Sequence, residues 1–465
     1  MKRVAIIYGE LTDLQKKAIE VLGEFLLEYT KEYPMCFENG APFDKENFHC
    51  IYIGTKATNP YIKENSKACL TKEQEYLIKV EDGVSIIEGY DDAGVLYGCV
   101  DFYNKYLLSI EYKLTLYFSI KNPFEEKLPD FELWSSPSVK DRGIWTWGHV
   151  IYNYRSFIDN MLKLKMNTLI VWNDFVPINA KEMIEYAHSN GVKVFFGFSW
   201  CWDTDCNRFS LDTILNESEN VFEKYEKEYA NLNADGIYFQ SFTELDKDNI
   251  NGILIADAVT KFVNHTSNLF FEKYPAIELQ FGLHANSVHD KLQFIKNVDE
   301  RIRIVWENCK VFPFIDFTYD DKLFEEGKSF VKEIALLRGN ADKFGVVTKC
   351  SSALDWNNFK HADSSVFIGK GSKSFIDNRI VRKSKLWKMV QSYWFNHADK
   401  AYEMIKLMAD TKEGDLLVTS LVEDGVFEEN IFFHIALYSE MLWDTDSEYK
   451  ELVNQVALRD YITFA

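Results

Sequence analysis

No stretch of this 465-residue chain approaches the ~18 consecutive apolar residues of a membrane span. The first ten residues carry two basic side chains, but their apolar run ends short of the roughly 7–15 residues of a secretory signal. An excess of basic residues is missing too. The formal charge of −20 argues against nucleic acid or an anionic membrane surface as partner, since either needs a basic patch. Eight cysteines at scattered spacings, with no repeated paired motif, fit reduced thiols in a cytoplasm. Cys201 and Cys206 are close in sequence but lack further ligands at zinc-site spacing, so they read as packing residues. There is no Gly-Lys-Ser phosphate loop, no nucleophile-elbow serine, no internal repeat and no low-complexity tract. These absences point to a cytoplasmic protein that needs no cofactor and no metal.

What is present is alternation. Residues 1–130 mix strand and helix patterns: apolar Val4–Tyr8, helical Leu11–Tyr33, the short strand Cys50–Ile53, and two strands flanking the turn Glu81-Asp-Gly83. Val95–Tyr106 follows as a helix, and this small α/β unit carries no chemical constellation. Lys121–Pro137 holds three of the nine prolines and reads as a linker or boundary. From about 140 to 375, strands alternate with helices: Gly143–Trp147, Asn167–Trp172, Val192–Trp200, Ala234–Glu244, Ile277–Leu283, Arg301–Trp306 and Phe344–Lys349, with a candidate eighth at Val366–Gly369. This pattern predicts a (β/α)8 TIM barrel, so the fold class is α/β. An open doubly wound sheet is the runner-up, but the glycine-rich turn after its first strand is lacking. Residues 376–465 read as a helical C-terminal region, whose surface offers a site for self-association.

The stretch Ala234–Glu244 organises the functional reading. A buried, aromatic strand entered through Asp235-Gly236 stops at a carboxylate, and barrel enzymes keep their chemistry at the carboxyl ends of strands. Seven of eleven tryptophans fall at or just past such ends: Trp145, Trp147, Trp172, Trp200, Trp202, Trp306 and Trp356. Aromatic faces gathered at one mouth suit stacking on sugar rings. Asn173, Asp174, Asp203, Asp205, Glu307, Asn308 and Asp355 accompany them. Glycoside hydrolysis needs two carboxyl groups flanking one bond, a protonated acid and a base or nucleophile. Glu244 is the candidate acid and Glu307 the candidate second carboxylate, with Asp203, Asp174 and Asp355 as rivals. His284, at the end of the fifth strand, is a candidate for hydrogen bonding a hydroxyl. His149 near the first strand has no histidine partner, unlike the His-x-His pair of a barrel metallohydrolase.

Several segments resemble known glycosidases. Glu75–Gly98 resembles the N-terminal α/β domain of family 20 hexosaminidases and family 67 α-glucuronidases. Asp141-Arg-Gly143 resembles the arginine-glycine start of their catalytic domains, Lys165–Leu169 the approach to their second strand, and Ala436–Asp444 a closing helix. The resemblance implies that Arg142 contacts sugar hydroxyls and that Glu244 is the general acid. The hexosaminidases place an aspartate directly before that acid. Thr243 stands there in this chain, which favours a second carboxylate supplied by the protein over acetamide assistance. The expectation is an exo-acting glycoside hydrolase, hexosaminidase-like or glucuronidase-like, acting on an oligosaccharide or glycoside. Trp145, Trp172, Asn173, Asp174, Trp202, Asp203, His284, Trp306 and Trp356 would join Arg142 in binding the sugar. The competing class is a non-catalytic carbohydrate-binding protein on a degenerate barrel.

Overall fold

A computed structural model describes residues 3–110, 124, 128–201, 210–242, 247–308, 320–352, 362–422 and 426–465. The chain divides into two compact units: Met1–Ser138 with Ser189–Gly191 and Lys450–Asp460, and the remainder.

The first unit is built on a six-stranded sheet. Its elements are β1 (Arg3–Tyr8), α1 (Asp13–Thr30), β2 (Met35–Glu38), β3 (Phe48–Gly54), α2 (Pro60–Asn65), β4 (Tyr76–Glu81), β5 (Val84–Gly89), α3 (Asp92–Asp101) and β6 (Phe131–Ser135). Sheet order is β2-β1-β3-β5-β4-β6. The β4–β5 hairpin turns at Gly83, whose φ of +80° is open to glycine at little cost. The proline-bearing stretch read as a linker or boundary contains β6, which pairs antiparallel with β4 and completes the sheet, and the boundary of the unit falls just past it, at Ser138.

The second unit is a closed barrel of eight parallel strands. In chain order come β7 (Asp141–Trp147), α4 (Tyr154–Lys163), β8 (Thr168–Trp172), α5 (Ala180–Ser189), β9 (Lys193–Ser199), α6 (Leu211–Glu228) and β10 (Gly236–Gln240). A small hairpin, β11 (Asn249–Ile250) and β12 (Ile253–Leu254), leads into α7 (Ile255–Lys273). Then follow β13 (Glu278–His284), α8 (Leu292–Ile295), β14 (Arg303–Asn308), α9 (Asp321–Ala335), β15 (Phe344–Ser351), α10 (Lys373–Thr411) and β16 (Leu416–Val422). The unit ends with α11 (Val426–Glu429), β17 (Ile431–Phe432), α12 (Phe433–Trp443) and β18 (Ile462–Thr463), while α13 (Tyr449–Ala457) belongs almost wholly to the first unit. Strands β7, β8, β9, β10, β13, β14 and β15 match the seven read from the sequence.

The eighth does not. Val366–Gly369 forms no strand, and the barrel closes instead with β16, which pairs with β15 on one side and β7 on the other. The barrel therefore does not end at 375, and 376–465 is not purely helical. Leu416-Leu-Val-Thr-Ser-Leu-Val422 is an apolar, β-branched run of strand length, overshadowed in the sequence by the 39-residue α10 before it. Among the described residues, no helix is long and apolar enough to cross a membrane.

Every barrel strand is buried on both faces, which is why these strands read as continuous apolar runs rather than alternating ones. Inside the barrel, Trp145, Trp147, Ile170, Trp172, Phe195, Tyr238, Val305, Val347, Leu417 and Leu421 belong to one cluster. The amino-terminal end is closed by charge. Arg303, 2% exposed, bonds Glu278 through Nε (2.8 Å) and Asp141 through Nη2 (3.1 Å), and Lys193 adds a 3.0 Å contact to Asp141. Its Nη1 donates to the carbonyls of Phe344 and Asp415.

Candidate active site

Glu307 ends β14 inside the carboxyl-terminal end of the barrel, 4% exposed. Its Oε1 accepts from the Tyr238 hydroxyl at 2.5 Å and from the Gln240 amide, and its Oε2 lies 3.2 Å from Lys349 Nζ. Burial by itself would raise its pKa. The Lys349 ammonium, His284 and the Tyr238 hydroxyl outweigh burial and hold the carboxyl below its ordinary range. Glu307 is thus a dry carboxylate, ionised at neutral pH.

Strand alternation builds this cluster. Tyr238 and Gln240 are two apart on β10, so they share the inner face; Lys349 comes from β15; His284 stands level with Glu307 across the β13–β14 register. Glycine clears the space. A Cβ on Gly282 would stand 2.2 Å from the Tyr238 oxygen, and one on Gly197 would stand 2.6 Å from the Trp172 ring. Only glycine lets those side chains cross to the barrel's middle.

Three indoles line the same interior. Trp145 meets Trp147 edge-on at 4.9 Å and lies 6.2 Å from Trp172, nearly parallel, with Tyr238 edge-on to both Trp145 and Trp172. Buried polar atoms here have no hydrogen-bond partner among the described residues: Trp145 Nε1, Thr419 Oγ1 and Asn173 Nδ2. Such atoms ordinarily find a partner, and a polar ligand supplies one. Asp174 beside them accepts from the Ala362 amide at 2.9 Å.

The backbone is strained at this rim. Cys201, Phe242 and Ala285 have φ of 59°, 52° and 39°, and they follow the ends of β9, β10 and β13. Left-handed conformation in a residue other than glycine costs on the order of 1–2 kcal/mol. Nearby, Glu428 in α11 is buried and accepts from the Tyr152 amide at 2.7 Å, while its Oε2 has no partner among the described residues. Burial raises its pKa to about 8, against the lowering effect of backbone donors.

Several nominated residues are elsewhere. Arg142 does not face the mouth. It lies at the amino-terminal end of β7 with its side chain turned outward, and its guanidinium donates to the carbonyls of Val139, Lys140 and Lys165 over the Trp443 ring. Trp306 also points outward, its Nε1 on the Ala285 carbonyl at 3.1 Å and its ring against Phe330. The reason is the strand's period of two: neighbours Trp306 and Glu307 cannot both face inward. Trp200 likewise stacks outside, 3.6 Å from Phe239. Glu244, Trp202, Asp203, Asp205, Asp355 and Trp356 lie outside the described residues. Tyr238, Gln240, Lys349, Thr419 and Glu428 were not nominated. A period-two reading back from Glu244 would have found the first two, and Lys349 is the one charge in an otherwise apolar strand.

No protein-family model matches the sequence, and no curated protein matches it. Solved structures do. A family GH115 4-O-methyl-α-glucuronidase with specificity for decorated arabinogalactans is 15% identical, with a TM-score of 0.52 over 96% of this chain and 57% of that one. A GH138 enzyme targeting pectin rhamnogalacturonan II is 13% identical, with a TM-score of 0.56 over 97% of this chain and 65% of that one. A mutant Streptomyces plicatus β-hexosaminidase in complex with its product GlcNAc is 10% identical, with a TM-score of 0.56 over 100% and 94%. The chain shares their fold. The first two are longer proteins, of which this chain spans less than two thirds. The resemblance drawn from Glu75–Gly98 and the barrel motifs is borne out at that level, as an eight-stranded barrel with an additional sheet.

Proposed function

We propose that this chain is a glycoside hydrolase that removes a terminal sugar, hexosaminidase-like or glucuronidase-like in its substrate. The observation that carries the reading is Glu307: a buried carboxylate, held ionised by Lys349, Tyr238 and Gln240, in a tryptophan-lined barrel end. That is the state required of a base or nucleophile, and the opposite of the protonated state required of an acid. The acid would be Glu244. It stands four residues beyond Gln240, the β10 side chain that already bonds Glu307. Trp145, Trp147 and Trp172 would wall the sugar, with Asn173, His284 and Thr419 bonding its hydroxyls.

The proposed reaction needs Glu244 to protonate the glycosidic oxygen as that bond breaks. Glu307 either attacks the anomeric carbon or takes a proton from the attacking water. The comparison with proteins described as glucuronidase and β-hexosaminidase supports the class. A panel of aryl glycosides assayed with the native chain, Glu244→Gln and Glu307→Gln tests it. Turnover by the native chain that both variants lose is expected. Sugar binding with no turnover by any of the three would assign the chain to carbohydrate-binding proteins instead.

A further inference from the structure

α10 is far longer than the barrel's other helices, 39 residues or roughly 58 Å, against 10 to 19 for α4, α5, α6, α7 and α9. Its second half is an ordinary barrel helix, burying Val390, Trp394, Ala398, Ala401, Met404 and Met408. Of residues 373–389, only Ile376 and Trp387 are buried. This first half starts at the carboxyl-terminal rim of the barrel. Gly371 N donates to the Tyr152 carbonyl, Phe375 meets the Tyr152 ring edge-on, and Arg379 Nε donates to the Tyr152 hydroxyl at 3.0 Å. Tyr152 belongs to the loop that leaves β7 just past Trp147.

The composition of that half departs from the rest of the chain. Residues 370–388 hold seven basic residues and one acid, in a protein of formal charge −20. Among the described residues, the exposed Arg382, Lys385 and Lys388 form no ion pair. They follow one another at intervals of three, so each rises about 4.5 Å along the axis from the last. Exposed apolar side chains stand among them, Val381 at 72% and Met389 at 40%, with Phe395 at 55% nearly two turns beyond. A helix that lies in a bilayer carries a continuous apolar face. Here Val381 and Met389 stand beside basic side chains, a surface suited to rings with apolar faces and anionic edges.

We propose that this strip docks an acidic polysaccharide, and that the sugar entering the barrel is the terminus of such a chain. The substrate-class part rests on the glycosidase reading; the docking part does not. Local charge decides the contact despite the negative total, because at ~0.1 M salt fields are screened beyond about 10 Å. The strip begins at the rim, so a polymer whose end sits among the tryptophans can lie along α10.

Polygalacturonate is the probe, with dextran as the neutral control and the native chain compared with the triple variant Arg382→Glu/Lys385→Glu/Lys388→Glu. Native binding to polygalacturonate but not dextran is expected, with affinity falling as salt rises at a log–log slope of about −2, as for three released counterions. The triple variant should lose at least tenfold, and the neutral variant Arg382→Gln/Lys385→Gln/Lys388→Gln an intermediate amount, with melting temperatures unchanged. Equal affinity of native and triple-variant chains overturns the proposal, and so does no binding at low salt. Tighter binding to anionic vesicles or to an oligonucleotide of matched charge also overturns it, as does a native dimer that the triple variant dissociates. Strip-dependent binding by a chain that hydrolyses nothing upholds the docking strip and removes the hydrolase reading alone.

Discussion

The two ends of the barrel solve the same problem in opposite ways. At the amino-terminal end, Arg303 is buried with Asp141 and Glu278, Lys193 completes the group, and the guanidinium's donors also reach backbone carbonyls. At the carboxyl-terminal end, Glu307 has three donors, but Trp145, Thr419 and Asn173 keep polar atoms with no partner among the described residues, and three rim residues hold strained backbone. A network whose charges are spent on one another holds strands in register and leaves no charge for a ligand. An end with spare donors and stored strain is one whose interactions are completed by something else.

The sharpest way to break this contrast is at the two carboxylates. Glu244→Gln and Glu307→Gln should each lower turnover on the order of 10²–10⁴-fold, with substrate affinity largely kept, as read from kcat and KM on an active aryl glycoside. The converse holds at the closed end. Arg303→Met leaves the buried Asp141 with Lys193 alone and the half-buried Glu278 without its guanidinium, and should cost about 3–5 kcal/mol of stability in urea unfolding, with kcat per folded molecule unchanged. Equal loss of activity from both kinds of substitution would erase the distinction between the ends.

A smaller effect concerns pH. Glu428 at the rim has its folded pKa raised to about 8 from 4.5, so its contribution favours the protonated, folded chain at low pH. That contribution is fully present below about pH 4.5 and is lost as pH rises through 8, at no more than about 1.4 kcal/mol per pH unit. The melting temperature of Glu428→Gln should therefore fall less between pH 6 and pH 9 than that of the native chain. The smallest effect is expected from Tyr238→Phe. It removes one donor from the Glu307 carboxylate, worth about 1 kcal/mol, and should move the acidic limb of the kcat/KM profile to higher pH by less than one unit. A purely structural tyrosine would change stability and leave that limb in place.

Much of the architecture was legible in the chain. Seven barrel strands follow from apolar runs of strand length between amphipathic helices, a signal that lies within each segment. The eighth was missed because closure is a relation between distant segments: β16 is defined as much by β7, over 260 residues earlier, as by its own composition. Among the nominated residues, Glu307, Trp145 and Trp172 do gather inside the barrel, and they stood out in the sequence because charge and indoles at strand ends are conspicuous. Arg142 and Trp306 were misplaced because proximity in sequence was read as proximity in space.

What the sequence determined alone is the alternation of elements, the aromatic wealth of the strand ends and the scarcity of features that other chemistries require. Facing was decided by the tertiary structure. A strand presents its residues to two sides in turn, and only closure of the sheet makes one side an interior, putting Glu307 among donors and Arg142 against backbone carbonyls. The ionisation of Glu307 belongs to the same category, since Lys349, His284 and Tyr238 come to it from three other strands.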